Sequence, residues 1–108
     1  DNGDKLGSCE NKECKIDLIS QSFSILSEVI PKERISKVVA AVEDNLVDKD
    51  NNIIKLLTPP FENSIDNPGY IMNYPKGIRE NGGQYTHATS WYIMALIKIG
   101  KYDLTNKY

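Results

Sequence analysis

The densest group of chemically active side chains in this sequence lies between Gly77 and His87. The stretch is Gly-Ile-Arg-Glu-Asn-Gly-Gly-Gln-Tyr-Thr-His, and it contains the only histidine of the protein. An apolar run with helical spacing follows, from Ala88 to Ile99. The first N–H groups of a helix have no partner within it, and the helix dipole favours negative charge in front of them. The segment therefore predicts an anion-binding turn at a helix start.

Two features of this segment favour close contact with an anion such as phosphate. Gly82 and Gly83 carry no side chains and would let the backbone approach a bound group closely. His87 stands beside the helix start, where it can donate a charge-assisted hydrogen bond to an anion. For a lone histidine taken by itself, a structural role is the default, and the residues alone leave that alternative open.

Composition limits the kinds of protein this chain can be. Its 108 residues form one small domain at most, and a start without methionine predicts a piece of a longer polypeptide. The net charge of −2 comes without a basic stripe, so neither nucleic acid nor anionic lipid is expected as a partner. No apolar run in these residues is long enough to cross a bilayer, and the opening Asp1–Asp4 does not resemble a signal peptide, so none is expected. We therefore expect a cytoplasmic location, with the parent protein at most tethered to the cytoplasmic side of a membrane.

Cys9 and Cys14 are the only cysteines. One local disulfide is an alternative, but two cysteines in a chain without an export signal more often remain thiols. Because the single histidine lies far away in sequence, neither zinc nor another metal is expected to bind here. We expect no cofactor.

Apolar spacing predicts three main helices. The first runs from Ile16 to Ile30 and is apolar over much of its girth, which is typical of a buried helix. Pro31 opens a second helix that reaches Leu46 and has one charged side, as a surface helix does. These two are expected to pack as an antiparallel hairpin. The third runs from Tyr85 to Ile99, is apolar nearly all round, and ends at Gly100.

The remaining segments are expected to be short or irregular. Ile53 to Leu57 predicts a short strand or extended segment. Thr58 to Glu80 holds four of the five prolines and predicts a long loop. Its aromatic and polar residues either line a sugar site or pin the loop to the helices. Lys101 to Tyr108 begins a further helix, for which Asp103 is the expected N-cap.

The order of these elements predicts an all-α fold. Two enclosed helices and one surface helix alternate as they do locally in an α/α barrel or toroid. One outer helix cannot cover two enclosed ones, so much apolar surface lacks a partner within the chain. This surface predicts contacts with the rest of the parent polypeptide, or self-association of the fragment.

Several longer motifs resemble glycoside hydrolase family 94. They are Asn67–Ile71, Tyr74–Ala88 followed by Trp91, Glu10–Cys14, Ile16–Asp17, Ile19–Phe23 and Ile54–Phe61. The family more often has Trp where Phe23 stands. Within the family, the sequence is most similar to the phosphorylase-type domain of cyclic β-1,2-glucan synthetases and to 1,2-β-oligoglucan phosphorylases. The similarity covers nearly the whole chain.

The resemblance implies both a fold and a reaction. The fold is an (α/α)6 barrel within a larger polypeptide, of which residues 1–108 would form about three helices, a short extended segment and a long active-site loop. The reaction is the inverting cleavage of a β-linked glucan or glucooligosaccharide with inorganic phosphate as co-substrate, giving α-glucose 1-phosphate. A carboxylic acid protonates the leaving oxygen while phosphate attacks in place of water. The family's acid is an Asp in a Trp-Asn-Asp-like segment, which is absent from these residues, so the chain alone is expected to be inactive.

The resemblance also implies roles for individual residues. His87 matches the phosphate-contacting histidine of the family. Glu80 matches a glutamate that hydrogen-bonds sugar hydroxyls in the acceptor subsite, and its alternative role is to cap the turn or pair with Arg79. Arg79 and Gln84 are further substrate-binding candidates.

Two other functions stay open from the sequence. A non-catalytic helical module could bind a carbohydrate or a partner through the Thr58–Glu80 loop, and the missing acid favours it. A hydrolase could use the same fold with water as nucleophile, although the anion-ready segment from Gly82 to His87 argues against it.

Overall fold

A computed structural model describes residues 7–63 and 67–108 of the chain. Residues 1–6, and residues 64–66 of the predicted loop, lie outside the described part. Among the described residues, no helix combines the length and the apolar character that a bilayer crossing requires.

The described part of the chain contains four α-helices and four strands of two residues each. The helices are α1 Leu18–Leu26, α2 Ile35–Asn45, α3 Thr86–Lys98 and α4 Tyr102–Thr105. The strands are β1 Ile16–Asp17, β2 Val47–Asp48, β3 Ile53–Ile54 and β4 Leu57–Thr58. A 3₁₀ helix at Lys32–Arg34 precedes α2, and a second one at Gly69–Asn73 interrupts the long loop.

The prediction of a purely all-α fold is wrong, because two small antiparallel ladders are present. β1 pairs with β4, placing Ile16 opposite Thr58, and β2 pairs with β3, placing Val47 opposite Ile54. The extended segment predicted for Ile53 to Leu57 thus contributes to two separate ladders. Strands this short carry no alternating pattern, so spacing alone could not separate β1 from the helix that follows it.

α1 begins later and ends earlier than its apolar spacing predicts. Asp17 is its N-cap, and the side chain accepts a hydrogen bond from the Ser20 N–H at 2.9 Å. Glu28 has a φ of +61°, a left-handed conformation that stops the helix. Ile16 therefore lies in a strand and Ile30 lies beyond the helix.

α1 and α3 lie side by side and run in the same direction. The Phe23 and Trp91 rings meet edge to face with centroids 5.3 Å apart. Further along both helices, the Lys98 ammonium donates to the Leu26 carbonyl at 2.8 Å. The main core between these helices and α2 includes the fully buried side chains of Leu18, Val42, Leu46, Tyr92 and Leu96. This packing fixes the N-terminal ends of α1 and α3 on one side of the molecule.

The two helices predicted to be enclosed are buried on one side only. Tyr92 and Leu96 of α3 are fully buried, whereas Met94 and Ile97 of the same helix are exposed. On α1, Phe23 is exposed as well. The described elements do not close into a barrel, so the alternation of inner and outer helices stays a prediction for the longer fold.

The C-terminal segment is held against α2 and α3 by a carboxylate. Glu43 accepts hydrogen bonds from the Tyr92 hydroxyl at 3.1 Å and from the Tyr108 hydroxyl at 2.8 and 2.9 Å. Burial, reinforced by this carboxylate, raises the pKa of both tyrosines above their ordinary value. The predicted N-cap at Asp103 is wrong: α4 is preceded by Lys101, and Asp103 lies in its first turn.

Candidate functional site

The segment from Gly77 to Gly83 folds into consecutive tight turns. The Asn81 N–H donates to the Ile78 carbonyl at 3.0 Å, and the Gly77 N–H donates to the Asn81 carbonyl at 2.8 Å. The Gly83 N–H then donates to the Arg79 carbonyl at 3.1 Å. Arg79 has a φ of +48°, an unusual conformation for a residue other than glycine that the surrounding turns enforce. Backbone hydrogen bonds within the segment therefore hold the candidate ligand-binding turns together.

Asn81 locks these turns to the rest of the loop, a role that the sequence did not reveal. Its side chain is fully buried and uses both ends of the amide. Oδ1 accepts from the Phe61 N–H at 2.7 Å, while Nδ2 donates to the carbonyls of Phe61 at 2.9 Å and Tyr74 at 2.8 Å. An Asn directly before a Gly-Gly pair could have predicted a turn stabilised by its side chain. Its hydrogen-bond partners, however, lie seven and twenty residues away in sequence.

Gly82 and Gly83 are buried, and the space beside each is filled by the protein itself. A Cβ atom at Gly83 would lie 2.7 Å from the Arg79 carbonyl oxygen and 2.9 Å from that of Gly77. A Cβ atom at Gly82 would lie 3.1 Å from Pro60 Cβ, and its φ of +83° also favours glycine. The turn itself thus explains why both positions are glycine. Backbone contact of these residues with phosphate stays a prediction.

This packing predicts a large loss of stability for Gly83→Ala. The added methyl collides with backbone atoms that cannot move without breaking the turn, so the free energy of unfolding should fall by about 2–3 kcal/mol. Urea denaturation of the 108-residue chain measures the loss. Gly77→Ala is the matched control, because nothing lies within 4 Å of that Cβ and only the φ of +79° is strained. Equal stability of the two variants would contradict the packing explanation.

Glu80 has a largely buried carboxylate beside an exposed arginine. Its side chain is 15% exposed, and Oε2 lies 3.5 Å from Arg79 Nε, whose side chain is 64% exposed. Within the described residues, that oxygen is one of two buried side-chain oxygens without a hydrogen bond, the other belonging to Glu13. The Arg79 guanidinium also lies 4.8 Å from the centroid of the Tyr74 ring. The predicted pairing of Glu80 with Arg79 is thus present, and it leaves hydrogen-bonding capacity on the carboxylate unused.

His87 lies exposed in the first turn of α3. The Thr89 N–H makes the first bond of the helix, to the Tyr85 carbonyl at 3.1 Å, so the N–H groups of residues 86–88 have no acceptor within the helix. The His87 ring lies 5.6 Å from the Tyr85 ring and 6.3 Å from the Trp91 ring, which limits its orientations. The imidazole therefore lies at the same helix end as the backbone N–H groups of the exposed residues Thr86 and His87, whereas Ala88 is fully buried.

Gln84 links the two parts of the segment. It pairs with Lys55 in an isolated bridge, while the Gly83 carbonyl accepts from the Leu56 N–H at 2.8 Å. Its side-chain amide is exposed and reaches the Thr86 hydroxyl at 3.4 Å. The predicted site residues thus form two neighbouring groups, Arg79 and Glu80 on the turn and Gln84 and His87 at the helix start.

The two cysteines lie outside both groups and are free thiols. Cys9 is exposed, whereas Cys14 is buried against Leu57 and Phe61. Burial, with a smaller contribution from Asp17, raises the pKa of the Cys14 thiol to about 11. Cys14 is therefore a packing residue and an unreactive thiol.

Comparison with known proteins assigns the family. The chain matches the model of the glycosyl hydrolase 94 superfamily catalytic domain over residues 1–108. It is 52% identical over 95 residues to the cyclic beta-(1,2)-glucan synthase NdvB of Rhizobium meliloti (strain 1021), which is 88% of this chain and 3% of that protein. It is 29% identical over 107 residues to the N,N'-diacetylchitobiose phosphorylase of Vibrio proteolyticus, covering 99% of this chain and 13% of the relative.

A solabiose phosphorylase of Paenibacillus borealis shows 33% identity over 95 residues, 88% of this chain and 12% of the relative. The chain thus spans only a small part of the curated relatives that it matches. The family resemblance seen in the motifs is confirmed, and the chain belongs to the glycosyl hydrolase 94 superfamily, within its catalytic domain.

Proposed function

We propose that this chain is part of an inverting phosphorylase domain that acts on β-linked glucans. In this proposal it supplies the phosphate-facing rim of the active site and part of the acceptor subsite. The chain covers 3% to 13% of the length of the relatives named above, so the reaction is proposed for a longer polypeptide that contains it.

The exposed helix start at His87 is the observation that carries the proposal. The backbone N–H groups of the exposed residues Thr86 and His87 have no acceptor in the helix, and they lie at the same end of α3 as the imidazole. Their dipoles favour an anion there, and phosphate offers enough oxygens to accept from several donors at once. The Gly82–Gly83 turn, held by Asn81, keeps this end of the helix in place.

Glu80 supports the sugar side of the proposal. A carboxylate that is mostly buried yet short of hydrogen-bond donors is suited to accept from the hydroxyl groups of a sugar. Arg79, which is held over the Tyr74 ring, orients Glu80 and leaves the guanidinium available to a second hydroxyl or to phosphate.

The proposed reaction needs one carboxylic acid as proton donor and one phosphate as nucleophile. A carboxylic acid, which we place elsewhere in the domain, protonates the glycosidic oxygen as the bond from that oxygen to the anomeric carbon breaks. A phosphate oxygen held near His87 attacks the anomeric carbon from the opposite face, giving α-glucose 1-phosphate and a shortened glucan. The 52% identity to a cyclic beta-(1,2)-glucan synthase favours β-1,2-linked glucan as the substrate.

Product analysis of the longer enzyme tests this function. We expect β-1,2-glucooligosaccharides to give α-glucose 1-phosphate only when inorganic phosphate is present, with the α anomer assigned by proton NMR. The 108-residue chain alone should give no turnover, because it lacks the acid segment of the family. Release of free glucose without phosphate would instead identify a hydrolase, and turnover by the isolated chain would contradict the proposed division of the site.

A further inference from the structure

Tyr70 is an exposed aromatic residue on the loop that leads into the candidate site. It lies in the 3₁₀ helix Gly69–Asn73 and is 61% exposed, so it contributes little to the core. Its ring meets the Tyr74 ring edge to face, with centroids 6.1 Å apart and planes at 90°. This contact holds the Tyr70 ring in place while leaving most of its surface open to a ligand.

Successive contacts connect Tyr70 to the carboxylate of the proposed sugar site. Arg79 Cζ lies 4.8 Å from the centroid of the Tyr74 ring, and Arg79 Nε lies 3.5 Å from Glu80 Oε2. The backbone here is fixed as well, because the Tyr74 carbonyl accepts from the buried Asn81 side chain at 2.8 Å. The exposed Tyr70 ring is thus connected to Glu80 through the contacts of Tyr74 and Arg79.

We propose that Tyr70 forms a stacking platform for a further glucosyl unit of the glucan, beyond the unit that Glu80 contacts. The C–H face of a pyranose ring packs on an aromatic face, and a tyrosine supplies a large contact area while losing little conformational entropy. The inference rests on the proposed function and adds to it a preference for longer glucans.

Steady-state kinetics of the longer enzyme with β-1,2-glucooligosaccharides of increasing length test the platform. Tyr70→Ala should raise KM for long substrates by about three- to tenfold, the loss of one aromatic contact, and leave KM for the disaccharide and for phosphate within about twofold. Tyr70→Phe keeps the ring and should restore the wild-type KM. Tyr102→Ala is the matched control, since Tyr102 lies on α4 and is 62% exposed.

Each outcome decides between the alternatives. The platform is overturned if Tyr70→Ala behaves like Tyr102→Ala, or if Tyr70→Phe is as impaired as Tyr70→Ala. If the wild-type enzyme shows no phosphate-dependent product, the proposed function fails by itself. Calorimetric titration of β-1,2-glucan without phosphate then still compares Tyr70→Ala with the wild type, and equal affinities would reject the platform.

Discussion

Replacing His87 by alanine is expected to lower kcat/KM for phosphate by about a hundredfold or more in the longer enzyme, with little change in KM for the glucan. The imidazole is exposed at the start of α3, beside backbone N–H groups that the helix leaves without acceptors. Its loss removes one hydrogen-bond donor to phosphate, so phosphate should bind less tightly and be less well oriented for attack. Initial rates at varied phosphate and saturating glucan measure the effect.

Two variants make this prediction specific. Ser90→Ala lies one turn further along α3 and removes only a hydroxyl that donates to the Thr86 carbonyl at 2.9 Å, so its kinetics should match the wild type. Glu80→Gln should show the opposite pattern to His87→Ala, with a raised KM for glucan and an unchanged KM for phosphate. Equal losses for phosphate and glucan in His87→Ala would show that the histidine supports the fold and does not bind phosphate.

The helices were predictable because their apolar spacing is long and regular. α2 and α3 lie within the predicted helices, since Val39 and Val42, and likewise Ala88, Tyr92 and Ala95, repeat at helical intervals. The limits of α1 were not predictable in this way. They depend on the hydrogen bond from the Ser20 N–H to Asp17 and on the left-handed conformation of Glu28, which apolar spacing does not encode.

The location of the candidate site stays a prediction from the sequence, and its local structure was only partly predictable. The polar segment before α3 indicated a site, and the structure places Glu80 and His87 with unused hydrogen-bonding capacity. The glycines have a reason that the sequence could not supply, because the atoms that crowd Gly83 belong to Arg79 and Gly77, which meet it only in the folded turn. The lock at Asn81 was missed for the same reason: its partner Phe61 is distant in sequence.

This short segment contains two kinds of group, those proposed to contact ligands and those that hold the turn. The groups proposed to contact ligands, at Glu80 and His87, have capacity left unused. Asn81 and Gly83, which lie between them in sequence, are buried and make their hydrogen bonds within the protein. A preorganised rim of this kind positions two ligand groups without paying for loop ordering when they bind.

Asn81→Ala is expected to have the largest effect on stability in the chain, because the Asn81 side chain is fully buried and hydrogen-bonded. The substitution removes three hydrogen bonds, leaving the buried N–H and carbonyl of Phe61 and the partly buried carbonyl of Tyr74 without that partner. Each unsatisfied buried group costs about 1–3 kcal/mol, and partial relaxation of the loop brings the expected total to about 3–5 kcal/mol. Urea denaturation of the 108-residue chain, followed by circular dichroism, measures the change in the free energy of unfolding.

Asn81→Asp separates the donor role of this side chain from its size. The aspartate keeps an acceptor for the Phe61 N–H but turns a second oxygen towards two carbonyl oxygens, so it should destabilise the chain at least as much as alanine does. Asn73→Ala, at an exposed asparagine of the same loop, should stay within about 0.5 kcal/mol of the wild type. If Asn81→Asp were as stable as the wild type, the two donated hydrogen bonds would not hold the loop. The rigid rim beneath Glu80 and His87 would then need another origin.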